Sequence, residues 1–237
     1  MTHWLKNMVQ SDISGSPEGA AIVHNLLYQA ISQIPEVNGF HLALADGHHG
    51  NQPALRDVFE KAHRDSASLQ KDRRGAPYAR DGRLLLSASD EDGISCAIGI
   101  EKRDRGSIVG IGIDVTKASD FQGDHLLQVM CRQILSHEER RFLRQAEHNI
   151  RPLLLAALFS LREAAVKSIA DKVRSYEDTG ASVCRTDLTD FFSVPDRPLH
   201  VAVSQRGMVV LQAVGVGQIK GVWNWGNGYA TAVAIAL

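Results

Sequence analysis

Cysteine is scarce in this chain. Cys96, Cys131 and Cys184 are the only three, and no Cys-x-x-Cys pair or zinc-finger spacing occurs. That excludes a disulfide-stapled scaffold and a cysteine-built metal site, and leaves three reduced, buried thiols in a cytoplasmic protein. Charge of one sign is also missing: 26 Lys and Arg against 27 Asp and Glu leave a net charge of −1. Nothing global therefore draws the chain to nucleic acid or to a membrane, and any polyanion must be met locally. Long hydrophobic runs are absent too. The longest, residues 153–158 and 229–237, fall far short of the roughly 20 residues that span a bilayer. The first residues, Met1-Thr2-His3-Trp4-Leu5-Lys6, lack the basic-then-apolar signature of a signal peptide. No short-period repeat and no low-complexity tract is visible.

What is present is core material. With 237 residues, 44% of them hydrophobic, the chain can form one large domain or two lobes of roughly a hundred residues each. Helical spacing follows Pro17 and stops near Pro35. Residues 40–45 read as a strand and residues 53–70 as a second helix, which ends in a basic loop from Lys71 to Tyr78. Three strands are expected at 83–89, 94–101 and 108–115, joined by the turns 90–93 and 103–106. A helix follows around 123–135, and Ser136-His137-Glu138-Glu139 caps another over 140–146. A long helix is expected over 152–173, and strands with Val/Ala alternation over 181–237. Each half runs from helices to strands, which predicts an α+β fold of two similar lobes, 1–107 and 108–237.

Two segments carry most of the chemistry. Val109-Gly110-Ile111-Gly112-Ile113-Asp114 is an apolar, glycine-interrupted strand that ends on a carboxylate. Alone, Asp114 also reads as a strand-ending turn residue. In Phe159-Ser160-Leu161-Arg162-Glu163-Ala164-Ala165-Val166-Lys167, a Glu and a Lys stand four apart, so both address one point beside a helix. A solvated pair of this kind is worth only about 0.2–0.5 kcal/mol, but Phe159, Ala164 and Ala165 do not belong to a freely solvated face. Two carboxylates on one pocket suit Mg²⁺, which commonly takes one or two protein carboxylates beside water and phosphate oxygens. A lysine would hold phosphate, and a carboxylate could accept a proton from an attacking hydroxyl. Two carboxylates alone would equally fit a metal-dependent phosphohydrolase.

Gly-Ile-Asp followed at a distance by Phe-Ser-x-x-Glu-Ala-x-x-Lys resembles the signature of 4′-phosphopantetheinyl transferases, and the length resembles their monomeric, two-lobed branch. The likeness is densest over residues 71–170. It implies an α+β fold of two lobes, each an antiparallel sheet packed with helices, with the active site between them. It also implies transfer of the phosphopantetheine arm of coenzyme A to a serine of an acyl, peptidyl or aryl carrier protein, of the fatty-acid, polyketide or peptide-siderophore kind, with release of 3′,5′-ADP. By matching position, Asp114, Glu163 and Lys167 would be catalytic. Asp114 and Glu163 would bind Mg²⁺, with Thr116 holding a metal-bound water, and Lys167 would contact the coenzyme A phosphates. No nucleic acid or membrane partner is implied, and the branch is monomeric.

The periphery departs from the pattern. The family's Gly-Lys-Pro loop falls on Gly75-Ala76-Pro77 and its Ser-His pair on Ser89-Asp90. Ala76 removes a lysine, and Asp90 sets a carboxylate where a phosphate is expected, at a cost of about 1 kcal/mol if exposed. Lys71, Arg73 and Arg74 lie in the same loop and could compensate. Thr116 replaces an acidic ligand found in many relatives, and Arg162 replaces a lysine with a different donor geometry. These changes leave a second reading open, a non-catalytic homologue that binds a carrier protein or nucleotide. Arg140, Arg141, Arg144 and Arg151 form a basic face. His48 and His49 sit in an Asp-Gly turn, and Trp223 and Trp225 read as covering a sheet.

Overall fold

The computed structural model describes residues 17–46, 50–62, 68–101, 106–123, 129, 131–181, 188–194, 196–197 and 199–237. In chain order its elements are α1 (Pro17–Ser32), β1 (His41–Asp46), α2 (Gln52–Lys61), β2 (Leu69–Lys71), β3 (Pro77–Ala79), β4 (Leu84–Glu91), β5 (Ile94–Glu101) and β6 (Gly110–Lys117). A 3₁₀ turn, Ala118–Phe121, follows. Then come α3 (His137–Gln145), α4 (Arg151–Ser168), α5 (Ala170–Glu177), β7 (Phe191–Ser193), β8 (Val201–Val203), α6 (Gln205–Ala213), β9 (Ile219–Gly226) and β10 (Tyr229–Ala236).

Two three-stranded antiparallel sheets repeat one plan. A strand leads to a helix and later to a hairpin, and the last strand of the hairpin takes the centre. The orders are β1-β5-β4 and β6-β10-β9. Both hairpins turn on two residues with positive φ, Asp92-Gly93 (49° and 76°) and Asn227-Gly228 (47° and 83°). That is the type I′ turn, and Asp-Gly and Asn-Gly are the pairs that adopt it most readily.

Helices explain why the central strands are apolar on both faces. α1 lies on one side, where its Leu27, Ala30 and Ile31 share a core with Ile98 and Ile100 of β5 and with Ile113, Val233 and Ile235 of the second sheet. α2 covers the opposite face of the first sheet with Ala54, Leu55, Val58 and Phe59. α4 covers that face of the second sheet. All eight residues of both β5 and β10 are buried. This is why the strands read as continuous apolar runs rather than as alternation.

Between the sheets, β4 meets β6 edge to edge. Serine hydroxyls take the place of a main-chain ladder there: Ser87 Oγ accepts from Ile113 N–H (3.0 Å) and Ser89 Oγ from Val115 N–H (3.3 Å). Unpaired edge N–H groups are thereby satisfied in the interior.

Several expectations need correction. The second helix ends at Lys61 instead of Gln70, and residues 69–71 pair with β3 as a hairpin whose tip holds the basic loop. The helix expected over 152–173 breaks at Ile169. Ser168 Oγ there bonds back to Ala165 O (2.8 Å), a local alternative to the helical ladder. The C-terminal stretch is not strand throughout, because Ser204 caps α6 by accepting from Gly207 N–H (3.1 Å). Residues 90 and 91 belong to β4, and Asp114 lies inside β6, which continues to Lys117. The Ser136–Glu139 capping box is present as expected. Most of the helix expected near 123–135, together with His48, His49 and Cys184, lies outside the described residues. Cys96 is buried and Cys131 half-buried, both free thiols. Among the described residues no helix is long and apolar enough to cross a membrane.

Candidate active site at the sheet junction

Alternate residues of β6 face α4, and two of them are glycines. A Cβ on Gly110 would stand 1.8 Å from Ser168 O, and one on Gly112 would stand 1.8 Å from Ala164 O. The alanines of β10 extend this smooth floor, with Ala232, Ala234 and Ala236 packed against Ala164 and Ala165 of the helix. The helix thus lies almost backbone to backbone on the strand. The next two residues on that face are Asp114 and Thr116, which brings their side chains within reach of α4.

Asp114 is 5% exposed, and both of its oxygens accept hydrogen bonds. Its Oδ1 accepts from Lys167 Nζ (2.7 Å) and Ser89 Oγ (2.9 Å), and its Oδ2 accepts from Thr116 Oγ1 (3.0 Å). Thr116 Oγ1 in turn accepts from Ser160 Oγ (2.7 Å). Burial works against the Lys167 ammonium. The Asp114 carboxylate by charge and hydrogen bond, helped by Glu163, nevertheless holds its pKa above the ordinary lysine value. Glu163 is raised as well, which for a carboxyl favours the neutral form: burial pushes it up, Asp114 adds to the rise, and Lys167 opposes it. Among the described residues no group hydrogen-bonds the Glu163 side chain. It is the half-buried carboxyl of the site, raised toward the range where it can exchange a proton.

All of these groups except Ser160 line one cavity of about 1150 Å³ at the junction of the two sheets. The paired rings of Phe121 and Phe159, with centroids 5.6 Å apart, form part of its wall. Residues 110–206 match the profile of the 4′-phosphopantetheinyl transferase superfamily.

Among solved structures the chain is similar to the holo-[acyl-carrier-protein] synthase of Neisseria meningitidis. The identity is 17%, over 55% of this chain and 98% of that one, with a TM-score of 0.44. The holo-ACP synthase of Plasmodium yoelii is similar at 17% identity, over 54% and 94%, with a TM-score of 0.41. That of Helicobacter pylori, in complex with coenzyme A, is similar at 16% identity, over 54% and 99%, with a TM-score of 0.38. No curated protein matches the chain.

The two motifs singled out in the sequence meet here: Asp114, Glu163 and Lys167 share the cavity with Thr116, Ser89 and Asp90. Of the three basic loop residues, only Arg74 lines it, and Arg74 also pairs with Glu177 of α5. Lys71 instead donates to Asn51 Oδ1 (2.8 Å), and Arg73 is exposed away from the cavity. The departure at Arg162 has a structural cause. Its guanidinium is fully buried and pairs with Glu139, the same side chain that completes the α3 capping box. In the basic face, Arg151 caps carbonyls at Ala146 and Arg144, while Arg141 and Arg144 are exposed. Trp223 and Trp225 stack with centroids 4.8 Å apart and pack against the core beneath α4.

Sequence reading missed Glu91 and Asp120. Both line the cavity, and their carboxyl groups interact there electrostatically. A two-residue Asp-Gly turn would have left Glu91 in the strand, on the same face as Ser87 and Ser89. Burial pushes the Glu91 carboxyl up to about 7, and Asp120, Asp114 and Asp92 act in the same direction. The folded state therefore keeps a proton that the unfolded state has lost. Its contribution is complete below about pH 4.5 and fades as pH rises toward about 7. Glu91→Gln is expected to flatten that fall. Thermal unfolding midpoints measured from about pH 5 to about pH 8 should decline less in the variant than in the wild type; parallel declines would contradict the assignment.

Among the described residues no cluster of three or more His, Cys, Asp or Glu side chains is arranged to hold a metal. Asp114 and Glu163 supply two carboxylates to one cavity, and Asp114 already draws a cation, the Lys167 ammonium. That donor set fits Mg²⁺, which needs few protein ligands, better than it fits zinc.

Proposed function

We propose that this protein transfers the 4′-phosphopantetheine arm of coenzyme A to a serine of an apo carrier protein and releases 3′,5′-ADP. The reading rests on one observation. Asp114, Glu163 and Lys167 of the superfamily segment converge in a single cavity, brought there by the glycine-cleared contact of β6 with α4. In this reading residues 1–107 and 108–237 are the two lobes of a cytoplasmic monomer.

The carrier serine oxygen forms a bond to the β-phosphorus of coenzyme A, and the bond from that phosphorus to the bridging oxygen breaks. The electron pair leaves with 3′,5′-ADP. The serine proton passes to the Glu163 carboxylate, which burial has made a better acceptor. Lys167 meets the pyrophosphate as a point charge, and Arg74 supplies a second cation at the cavity wall. Mg²⁺ bound by Asp114 and Glu163 would neutralise charge on the pyrophosphate oxygens. The exposed ion pair between Arg74 and Glu177 is cheap to break, so Arg74 can turn to a phosphate.

Glu163→Gln is expected to reduce kcat/KM for transfer by at least about 100-fold. Its thermal midpoint should not fall, because among the described residues no group hydrogen-bonds the Glu163 side chain. Undiminished transfer would contradict the assignment. Ala76 and Asp90 in the same cavity favour the second reading, a non-catalytic binder. A wild-type protein that binds coenzyme A without transferring the arm would support that reading.

A further inference from the structure

Thr116 and Ser160 are buried hydroxyls, 5% and 0% exposed, on facing elements. Ser160 lies outside the cavity lining, one helical turn before the Glu163 side of α4, whereas Thr116 borders the cavity. The bonds between them have a direction. Asp114 Oδ2, as a carboxylate oxygen, can only accept, so Thr116 must donate to it at 3.0 Å. With its only proton committed, Thr116 Oγ1 is the acceptor of the Ser160 proton at 2.7 Å. The order Ser160 to Thr116 to Asp114 is therefore fixed, and each bond polarises the next.

On the other carboxylate oxygen, Ser89 and Lys167 donate to Oδ1. Lys167 is half-buried at the cavity, and its ammonium can be drawn to an incoming phosphate. Oδ2 is different. Its donor is a short, β-branched side chain pinned from behind by a residue that touches neither the cavity nor a ligand. A threonine with a locked rotamer fixes the plane of the carboxylate it serves. Each carboxylate oxygen has two lone pairs, and one on Oδ2 remains available.

Resting on the transferase reading and its Mg²⁺ site, we infer that Ser160 and Thr116 are positioning residues that orient Asp114 for a divalent cation. Thr116 acts by donating to Asp114 and Ser160 by locking Thr116. A hydroxyl relay thereby replaces an acidic side chain as the support of the site, without contributing a charge. Outer groups that orient a metal ligand commonly change affinity by about 10–100-fold when removed.

The test is calorimetric titration of Mg²⁺ into the ligand-free protein, with thermal midpoints recorded with and without the ion. Thr116→Val is expected to weaken Mg²⁺ binding by at least about 10-fold, and Ser160→Ala by about 3-fold or more. Thr116→Ser keeps the hydroxyl and should stay within about 3-fold of wild type. A purely structural role would lower the midpoint without metal and leave the affinity alone. If Thr116→Val does not fold, the contrast between Ser160→Ala and Thr116→Ser decides. Wild-type affinity in Thr116→Val and Ser160→Ala overturns the inference and leaves the transferase reading standing. A wild-type protein that binds no Mg²⁺ overturns the metal site and the inference together.

Discussion

Glu139→Ala is expected to destabilise the protein by about 3–5 kcal/mol, a large share of the about 5–15 kcal/mol that holds a typical domain together. Glu139 is fully buried and serves three elements. One oxygen accepts from Ser136 N–H at the start of α3 (2.8 Å) and pairs with Arg162 of α4; the other accepts from Ser193 N–H of β7 (2.9 Å). Among the described residues the fully buried Arg162 has one further bond, NH1 to Leu158 O (3.1 Å), and its Nε has no partner. Removing Glu139 leaves a buried guanidinium without its counter-charge, and that desolvation cost outweighs the lost hydrogen bonds. Replacing both partners removes the uncompensated charge, so Glu139→Ala with Arg162→Met should be less destabilised than Glu139→Ala alone. Denaturant unfolding of the two variants and the wild type measures this. A loss below about 1 kcal/mol in the single variant would show that the charge is solvated after all.

The second large effect is expected at Gly112. A methyl group there meets Ala164 O at 1.8 Å and Ser168 N at 2.7 Å. Both are backbone atoms, so no rotamer relieves the clash and α4 must move off β6. That movement carries Lys167 away from Asp114, with which it now makes a 2.7 Å ion pair. Misplacement of about 1 Å can cost a catalytic site about 100-fold. Gly112→Ala is thus expected to cut kcat/KM by about 100-fold or more, besides an overpacking cost of about 1–3 kcal/mol. Gly99→Ala is the control. Its methyl would meet Val58 Cγ1 at 2.6 Å, a side chain of α2 outside the cavity lining, so stability should fall while transfer persists. Equal loss of transfer in both variants would mean that general destabilisation, not site geometry, is responsible.

The same glycines show why part of the site was legible. Gly110 and Gly112 alternate with isoleucine and valine, so the strand and its carboxylate could be read from six residues, although β6 runs past Asp114 to Lys117 and the close approach of α4 went unread. The i, i+4 spacing placed Glu163 and Lys167 together for an equally local reason. What stayed hidden depends on distant partners. Arg162 reads as a charge beside Glu163, and only the approach of Glu139 from α3 makes it a buried strut. Glu91 and Asp120 are unremarkable acids until β4 meets β6. The break at Ile169 and helix α6 were missed because apolar residues there suit a continuing helix and a strand equally well. Ser168 and Ser204, as local hydrogen-bonding residues, decide both.

The central claim is tested most directly by the mass of an apo carrier protein after incubation with this protein, coenzyme A and Mg²⁺. The account predicts a carrier heavier by one phosphopantetheine group, with 3′,5′-ADP in solution, and little or no addition with Glu163→Gln. An unmodified carrier with the wild-type protein, tested across acyl, peptidyl and aryl types, would contradict it.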